Sequence, residues 1–299
     1  MANIEQINKL KQGAVVWLNW LDSHQQPNID LISADLRGVE LSEVYLVKAN
    51  LADSNLTQAR LRGANLTGVN LTGAELIDAD LCQANLTGVN LQSANLINAD
   101  FYQANLIGSD LRLVRGQEAN FCQANLIGAS IRQARLPHAN FSQAQLNRAN
   151  LSETDLVKAS FDQADLSGAN FFEAELQSAS FYQANLYRVK AIAAHLSYSY
   201  FLGSNLAEAS LVGCDLRWSN LSYANLQLAD LQRTKLRGAN LTRANLAGAN
   251  LSGADLRGVN LTNTNLSRAN LTGANIEETI FDKATFASTL MPDGSKHRS

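Results

Sequence analysis

The stretch ANLTGVNLTG at residues 64–73 contains two five-residue units that differ only in their first residue, and units of this pattern continue along most of the chain. Every fifth residue from Leu31 to Phe286 is Leu, Ile or Phe, with Gly116 and Ala191 as exceptions. The residue two positions before each of these is small from position 34 onward, and the one immediately before is usually Asn or Asp. Five residues turn an α-helix by about 500°, and a flat strand would place residues five apart on opposite faces. The repeat therefore predicts a chain that bends once per unit, always with the same hand, into a coiled β structure.

A second period of twenty residues defines the coil. Phe and Gln each recur six times at this spacing, at Phe101, Phe121, Phe141, Phe161, Phe181 and Phe201, and at Gln83, Gln103, Gln123, Gln143, Gln163 and Gln183. Since twenty residues are four units, we predict a square coil with one unit on each side. Residues 30–290 provide about 13 coils, stacked at a strand spacing of about 4.8 Å. The Phe rings would form one inner column and the Gln side chains an outer amide ladder.

Units such as ANLTG at 64–68 and ANLSG at 249–253 resemble the A-(D/N)-L-X-X pattern of the pentapeptide repeat family, and the chain is similar to cyanobacterial members. The resemblance extends over most of the chain. It implies an all-β solenoid, specifically a right-handed quadrilateral parallel β-helix, with the Leu/Phe residues and the small residues two positions earlier pointing inward. The large inward residue is missing at Gly116 and Ala191, and the sequence leaves open whether these coils bulge.

The N-terminal residues lie outside the repeat. Apolar residues recur at steps of three and four from Ile4 to Leu21, which predicts one short amphipathic α-helix that ends at Pro27 at the latest. An open solenoid end exposes unpaired strand edges, so we expect this helix to cap the first coil, with Trp17 and Trp20 as candidate plugs. The predicted organisation is an N-terminal helix cap and linker at 1–29, a β-helix at 30–290 and a C-terminal tail at 291–299.

Composition excludes several functional classes. The formal net charge is −3 and the pI about 5.8, which gives no overall attraction for nucleic acid. Three Cys and the lack of a long apolar run or signal peptide predict a cytoplasmic protein with no membrane contact. The four His have no metal-ligand spacing, and no phosphate-binding loop is present. With the core filled by the repeat, we predict no enzyme activity, no cofactor and no metal.

Function is therefore expected in the outward-facing exceptions to the repeat. The candidate partner-binding patch consists of Tyr198, Tyr200, Arg217, Trp218, Arg237 and Arg257. Its three arginines form a column at a spacing of twenty, and exposed Trp, Tyr and Arg are typical of binding hot spots. The alternative is a solvated ladder in which the aromatic rings pack on neighbouring stems.

The sequence contains two further outward-facing features, and for both of them the alternative interpretation is an ordinary solvated surface. One is an acidic corner of Glu153, Asp155, Glu173 and Glu175, and the other is an apolar column of Phe172, Ile192 and Val212. The apolar column is a candidate for self-association, so the chain is predicted to be a monomer or a weak homodimer.

These features predict a non-enzymatic protein–protein interaction scaffold or regulator, with another protein as its partner. The family resemblance implies an alternative, because some pentapeptide repeat proteins mimic DNA and bind the type II topoisomerase gyrase. That mode needs strong negative potential, whereas this chain has nearly balanced charge and an arginine column. A third possibility is direct nucleic-acid or polyanion binding by the arginines, for which the basic patch is small.

Overall fold

The computed structural model describes residues 3–24 and 28–297. The chain divides into two compact units, Met1–Asn150 and Leu151–Ser299. Both units contain the five-residue repeat.

In the first unit, each five-residue repeat contributes a single bridge residue, located immediately before the large inward residue. Asn65, Asn85 and Asn105 pair in parallel, each with the residue twenty positions further on. The N–H of Asn85 donates to the carbonyl oxygen of Ala64 (2.9 Å), and the N–H of Leu66 donates to that of Asn85 (2.8 Å). One turn of the chain therefore takes twenty residues, as the sequence predicts.

The second unit has the same pairing. Asn185, Asn205, Asn225 and Asn245 form consecutive parallel bridges at the same spacing, and Asn245 continues to Asn265. The amide side chains add a second ladder outside the backbone, since Nδ2 of Asn225 donates to Oδ1 of Asn205 at 3.1 Å. Solenoids of this kind satisfy their backbone polar groups between successive coils.

Between bridges the chain makes a tight turn. The N–H of Ala64 donates to the carbonyl oxygen of Leu61 (3.0 Å), which closes the turn, and Gly63 has a φ of 66°. The residue two positions after each large residue adopts positive φ, which favours glycine but is also occupied by polar and aromatic residues here, such as Gln83 at 59°. This turn position directs its side chain away from the core.

The predicted columns are present within each unit. The rings of Phe101 and Phe121 stack at a centroid distance of 4.8 Å in the first unit, and those of Phe181 and Phe201 at 4.7 Å in the second. All four rings are buried. Outside the first unit's core, the amide of Gln103 donates to Gln123 at 2.7 Å. These contacts confirm the inner Phe column and the outer Gln ladder over the pairs named.

The two exceptions to the repeat do not bulge. A Cβ atom at Gly116 would lie 2.8 Å from Cδ2 of Leu136 and 3.3 Å from Cβ of Leu96, so the neighbouring coils already fill this space. The N–H groups of Gly116 and Ala191 keep their inter-coil hydrogen bonds, both at 2.8 Å. One coil before Ala191, the equivalent inward position is occupied by Phe171, which is larger than the usual Leu.

The prediction of one N-terminal helix is wrong: the structure has α1 at Ile4–Leu10 and α2 at Ala14–Ser23. Gly13, the N-cap of α2, has a φ of 100°, which interrupts the helix and redirects the chain. Leu10 and Trp17 are nevertheless both fully buried, so the apolar spacing runs across the break and resembles that of a single helix. Pro27 lies outside the described residues.

Both helices contact the start of the solenoid. Gln6 takes the place of a preceding coil, since its Nε2 donates to the carbonyl oxygen of Asn28 (2.8 Å) and its Oε1 accepts from the N–H of Asp30 (2.9 Å). The indole N–H of Trp17 donates to the carbonyl oxygen of Tyr45 at 2.8 Å. The backbone at Asn28, Asp30 and Tyr45 is thereby hydrogen-bonded to residues of the two helices.

The C-terminal segment folds back on the last coil. Leu290 and Lys296 form an antiparallel bridge after a turn at 291–294, and the ring of His297 lies 5.1 Å from that of Phe286. Neither helix in the described parts of the chain has the length and apolar character needed to cross a bilayer.

Candidate functional site

The aromatic–arginine patch, defined as Tyr198, Tyr200, Arg217, Trp218, Arg237 and Arg257, lies entirely within the second unit. The turn backbones of its members stack directly, because the N–H of Tyr198 donates to the carbonyl oxygen of Arg217 (2.9 Å) and that of Trp218 to Arg237 (3.1 Å). Five of the six side chains are exposed, with Tyr198 at 63% and Trp218 at 54%, and Arg257 is half-buried. The structure therefore places Tyr198, Arg217, Trp218, Arg237 and Arg257 at one turn on successive coils, whereas Tyr200 lies at the bridge position that follows this turn.

Trp218 is held against the next coil. It occupies the positive-φ turn position at 60°, and Gly238 occupies the same position one coil later. A Cβ atom at Gly238 would lie 2.3 Å from Cε3 and Cζ3 of the Trp218 indole, so the ring covers a residue that has no side chain. The other two tryptophans, Trp17 and Trp20, are buried. Trp218 is thus the exposed indole of the chain, and its ring is packed on backbone.

A shallow concavity of about 350 Å³ lies beside the ring, lined by Trp218, Arg237, Gly238, Arg257, Gly258, Glu277 and Glu278. Its floor is Gly258, because nothing lies within 4 Å of the place where a Cβ atom at this residue would be. Glu278 stands one coil beyond Gly258 in the same turn column. Sequence reasoning missed the two glycines and the glutamates, although the spacing of twenty places them in register with Trp218.

The arginine column differs from the ladder of like charges that the sequence indicates. Arg217 forms a two-pronged ion pair with Asp215, with Nε–Oδ1 at 2.8 Å and Nη2–Oδ2 at 2.6 Å. Arg257 pairs with Asp255 in the same way, with both distances at 2.8 Å. The hydrogen bonds from Arg217 hold the pKa of Asp215 below its ordinary value, and those from Arg257 do the same for Asp255. Two of the three arginines are therefore neutralised within their own five-residue repeat.

Arg237 is the exception in this column. The position equivalent to Asp215 and Asp255 is occupied by Lys235, so this repeat brings a second cation instead of a carboxylate. Within 3–24 and 28–297, neither Lys235 nor Arg237 has a carboxylate at ion-pair distance. Both side chains are exposed.

The remaining aromatic residues of this surface have intramolecular roles or partial exposure. Tyr200 is 37% exposed and pairs through its backbone with Asn220. Tyr223, around the neighbouring corner, accepts a hydrogen bond from Nη1 of Arg243 at 2.6 Å, and the guanidinium lies 5.4 Å from its ring centroid. Tyr223 and Arg243 therefore satisfy each other, unlike Trp218.

The two other predicted surface features are also on the second unit. In the acidic corner, Glu175 contacts Nδ1 of His195 at 2.8 Å, on the next coil. In the apolar column, Phe172 is 39% and Ile192 40% exposed, while Val212 is half-buried. Both features are present as exposed or half-exposed surface, and neither lines the concavity beside Trp218.

A cluster of potential metal ligands in the first unit was not predicted. Asp80, Cys82 and Asp100 bring one ligand atom each within 4.8 Å of one another. The thiol of Cys82 donates to Oδ2 of Asp100 at 3.1 Å, and Arg62 lies 3.5 Å from Oδ2 of Asp80. Burial, together with the two aspartates, raises the pKa of the Cys82 thiol, so it stays protonated near neutral pH. The cluster is satisfied by its own hydrogen bonds and ion pair.

The parallel bridges at a constant twenty-residue spacing define a β-solenoid repeat protein. The profile of the family described as "Pentapeptide repeats" matches the chain over residues 34–73, 74–112, 117–152, 149–188, 184–222, 224–263 and 250–287. The chain belongs to the pentapeptide repeat family.

Several solved structures are similar to this chain. HetL, a pentapeptide repeat protein involved in heterocyst differentiation regulation from the cyanobacterium Nostoc sp. strain PCC 7120, is 27% identical over 94% of this chain and 98% of its own, with a TM-score of 0.27. A trypsin-treated form of QnrB1, a plasmid-mediated fluoroquinolone resistance protein, is 20% identical over 64% of this chain and 88% of its own, with a TM-score of 0.48. Rfr23 from the cyanobacterium Cyanothece 51142 is 27% identical over 52% of this chain and 86% of its own, with a TM-score of 0.21. No curated protein matches the sequence.

Proposed function

We propose that this protein is a non-enzymatic scaffold or regulator that binds another protein through the aromatic–arginine patch. The observation that carries the proposal is the position of Trp218, whose half-exposed indole is fixed against Gly238 beside Arg237 and Arg257. An exposed aromatic ring that is already positioned loses little freedom when a partner covers it. Trp and Arg are also the residue types most enriched among residues that dominate binding energy.

We further propose the complete frame that presents this patch. Residues 30–290 form a right-handed, four-sided β-helix of about 13 coils, preceded by a helical cap and linker at 1–29 and followed by a tail at 291–299. The twenty-residue bridges within each unit support this frame. The three free thiols, of Cys82, Cys122 and Cys214, favour a cytoplasmic location, where thiols stay reduced.

The proposal is tested by capturing partners from the native cell with wild-type protein and two variants, Trp218→Gly and Leu228→Gly. Glycine fits position 218, since φ is 60° there, so this substitution removes the indole with little backbone cost. Leu228 is a matched control on another side of the coil. It has φ of 59°, is 57% exposed and packs over Gly248 as Trp218 packs over Gly238.

We expect Leu228→Gly to retain the wild-type partner and Trp218→Gly to lose it. Identical partner sets for all three proteins would show that the patch is not the binding surface. Circular dichroism and thermal unfolding confirm that each variant is folded before capture.

A further inference from the structure

Four Asp-Leu-Arg sequences occur in the chain, and all four make the same internal contact. In each, the arginine folds back on the aspartate two residues earlier, with Nε–Oδ1 at 2.8 Å: the pairs are Asp35–Arg37, Asp110–Arg112, Asp215–Arg217 and Asp255–Arg257. Each arginine also donates through Nη2 to the second carboxylate oxygen. The geometry places an arginine and a carboxylate side by side on the outer surface of one repeat.

Lys235-Leu236-Arg237 lies between two of these sequences and lacks the carboxylate. Lys235 bridges to Asp215 on one side and to Asp255 on the other, but both carboxylates are already bound by their own arginines. In the three units at 215–217, 235–237 and 255–257, four cations face two aspartates, and the next carboxylates in these columns are Glu277 and Glu278. Asp215 lies beside Arg217, whereas the equivalent position beside Arg237 is occupied by a second cation, Lys235.

We propose that this surface binds an acidic protein segment in which an Asp or Glu side chain pairs with Lys235 and Arg237. The incoming carboxylate supplies the anion that the neighbouring repeats carry internally. A neighbouring apolar side chain of the same segment packs on the Trp218 indole, over the bare backbone of Gly258. The inference rests on the proposed function, because it uses the same patch, and it adds the chemistry of the partner.

The charge around the concavity favours a short acidic segment over a nucleic acid. Glu277 and Glu278 line the far side of the concavity from Trp218, so negative charge begins again beyond Arg257. A polyanion that continued along this column would meet these two carboxylates, whereas a single carboxylate at Arg237 would not. Ion pairing at a surface site is weak alone, so the indole contact is needed for measurable affinity.

The probe is a set of capped eight-residue peptides with one Glu-Phe pair in a Gly/Ser background, matched by peptides with Gln-Phe instead. Binding is followed by NMR through the indole N–H signal of Trp218, with the buried Trp17 and Trp20 as internal references. The decisive variant is Lys235→Asp, which rebuilds the Asp-Leu-Arg sequence and gives Arg237 an internal partner. Aspartate is already tolerated at this position of the column, at Asp215 and Asp255.

We expect the Glu-Phe peptide to shift the Trp218 signal in the wild type, and both the Gln-Phe peptide and the Lys235→Asp variant to bind about 5-fold more weakly, the upper range for loss of an exposed ion pair. Failure of the Glu-Phe peptide to bind, or equal binding by Lys235→Asp, would overturn the proposal. Tighter binding of a twelve-nucleotide oligothymidylate than of the Glu-Phe peptide would also overturn it, in favour of a nucleic acid.

The same variants separate this inference from the proposed function. If Lys235→Asp captures the cellular partner as well as the wild type does while Trp218→Gly loses it, the patch binds a protein but not through a carboxylate. If Trp218→Gly also captures the partner, the proposed function itself fails.

Discussion

The indole ring of Trp218 lies directly over Gly238, where a Cβ atom would be 2.3 Å from the ring carbons Cε3 and Cζ3. Both residues occupy positive-φ turn positions on adjacent coils, so the backbone of one coil supports the side chain of the previous one. The contact makes residue 238 a determinant of the shape of the aromatic–arginine patch, although glycine has no side chain to contribute.

Gly238→Ala should displace the Trp218 ring. The added methyl group overlaps the indole, and an L-residue at φ of 70° costs about 1 kcal/mol of unfolding free energy in addition. Gly258→Ala is the control, because it has the same backbone cost at φ of 63° but nothing within 4 Å of the new methyl group. We expect the Trp218 indole N–H resonance to move in Gly238→Ala far more than in Gly258→Ala. Equal resonances in wild type and Gly238→Ala would contradict the packing of the indole on Gly238.

Iodide should quench the fluorescence of Trp218 selectively. Trp218 is 54% exposed, whereas Trp17 and Trp20 are 0% and 7% exposed, so a quencher in water reaches one class of indole. The nearby Lys235 and Arg237 attract the anion, and we expect iodide to quench more strongly than caesium. In Trp218→Gly the remaining emission should resist both ions, while Leu228→Gly should be quenched like the wild type. Strong iodide quenching in Trp218→Gly would show that the N-terminal indoles are accessible.

The Asp215–Arg217 pair should make stability depend on acid pH. The folded pKa of Asp215 lies below that of the unfolded chain, so its contribution is present above about pH 3.9 and is lost as the pH falls through the folded pKa. Asp215→Asn should lower the unfolding free energy at pH 7 by up to about 1 kcal/mol, because the pair is partly exposed. Asp230→Asn is the control, since Asp230 accepts from Gln232 and has no arginine partner among the described residues.

Urea unfolding of the three proteins between pH 2 and pH 7 measures this difference. The difference in unfolding free energy between the wild type and Asp215→Asn should shrink at the acid end of this range. A difference that is constant with pH would mean that the ion pair adds nothing to stability.

Gyrase supercoiling should be unaffected by this protein. A DNA mimic needs a continuous negative surface, whereas Lys235 and Arg237 add positive charge to the exposed column of the second unit. The assay uses purified gyrase and relaxed plasmid, with and without the protein. Dose-dependent inhibition would support the DNA-mimicking alternative and contradict binding through the aromatic–arginine patch as the main activity.

The sequence predicts the repeated part of this molecule well because its geometry is periodic. A single spacing of five identifies the inward residues, and the recurrence of Phe and Gln at twenty gives the number of repeats per coil, which the bridges of both units match. The lack of a bulge at Gly116 was not predictable, since it depends on how Leu96 and Leu136 fill space in adjacent coils.

Local features were harder to predict. The break between α1 and α2 occurs within an unbroken apolar spacing, and Gly13 adopts positive φ at this break. Residue types identify the aromatic–arginine patch in the sequence, but they do not show how much of its positive charge is neutralised. That depends on a side-chain contact within one repeat, between the Asp and the Arg of each Asp-Leu-Arg sequence. The column positions of Gly258 and Glu278 were available at the spacing of twenty, yet their role depends on the orientation of the Trp218 ring.

The most direct test of the proposed binding surface is site-specific photocrosslinking in the cells that produce the protein. A photoreactive phenylalanine analogue is placed at position 218 or, as the control, at position 228, both of which are exposed turn positions with positive φ. We predict one crosslinked protein partner from position 218 that is absent from position 228. No crosslink at 218, or the same crosslinked protein from both positions, would contradict the assignment of this patch as the binding surface.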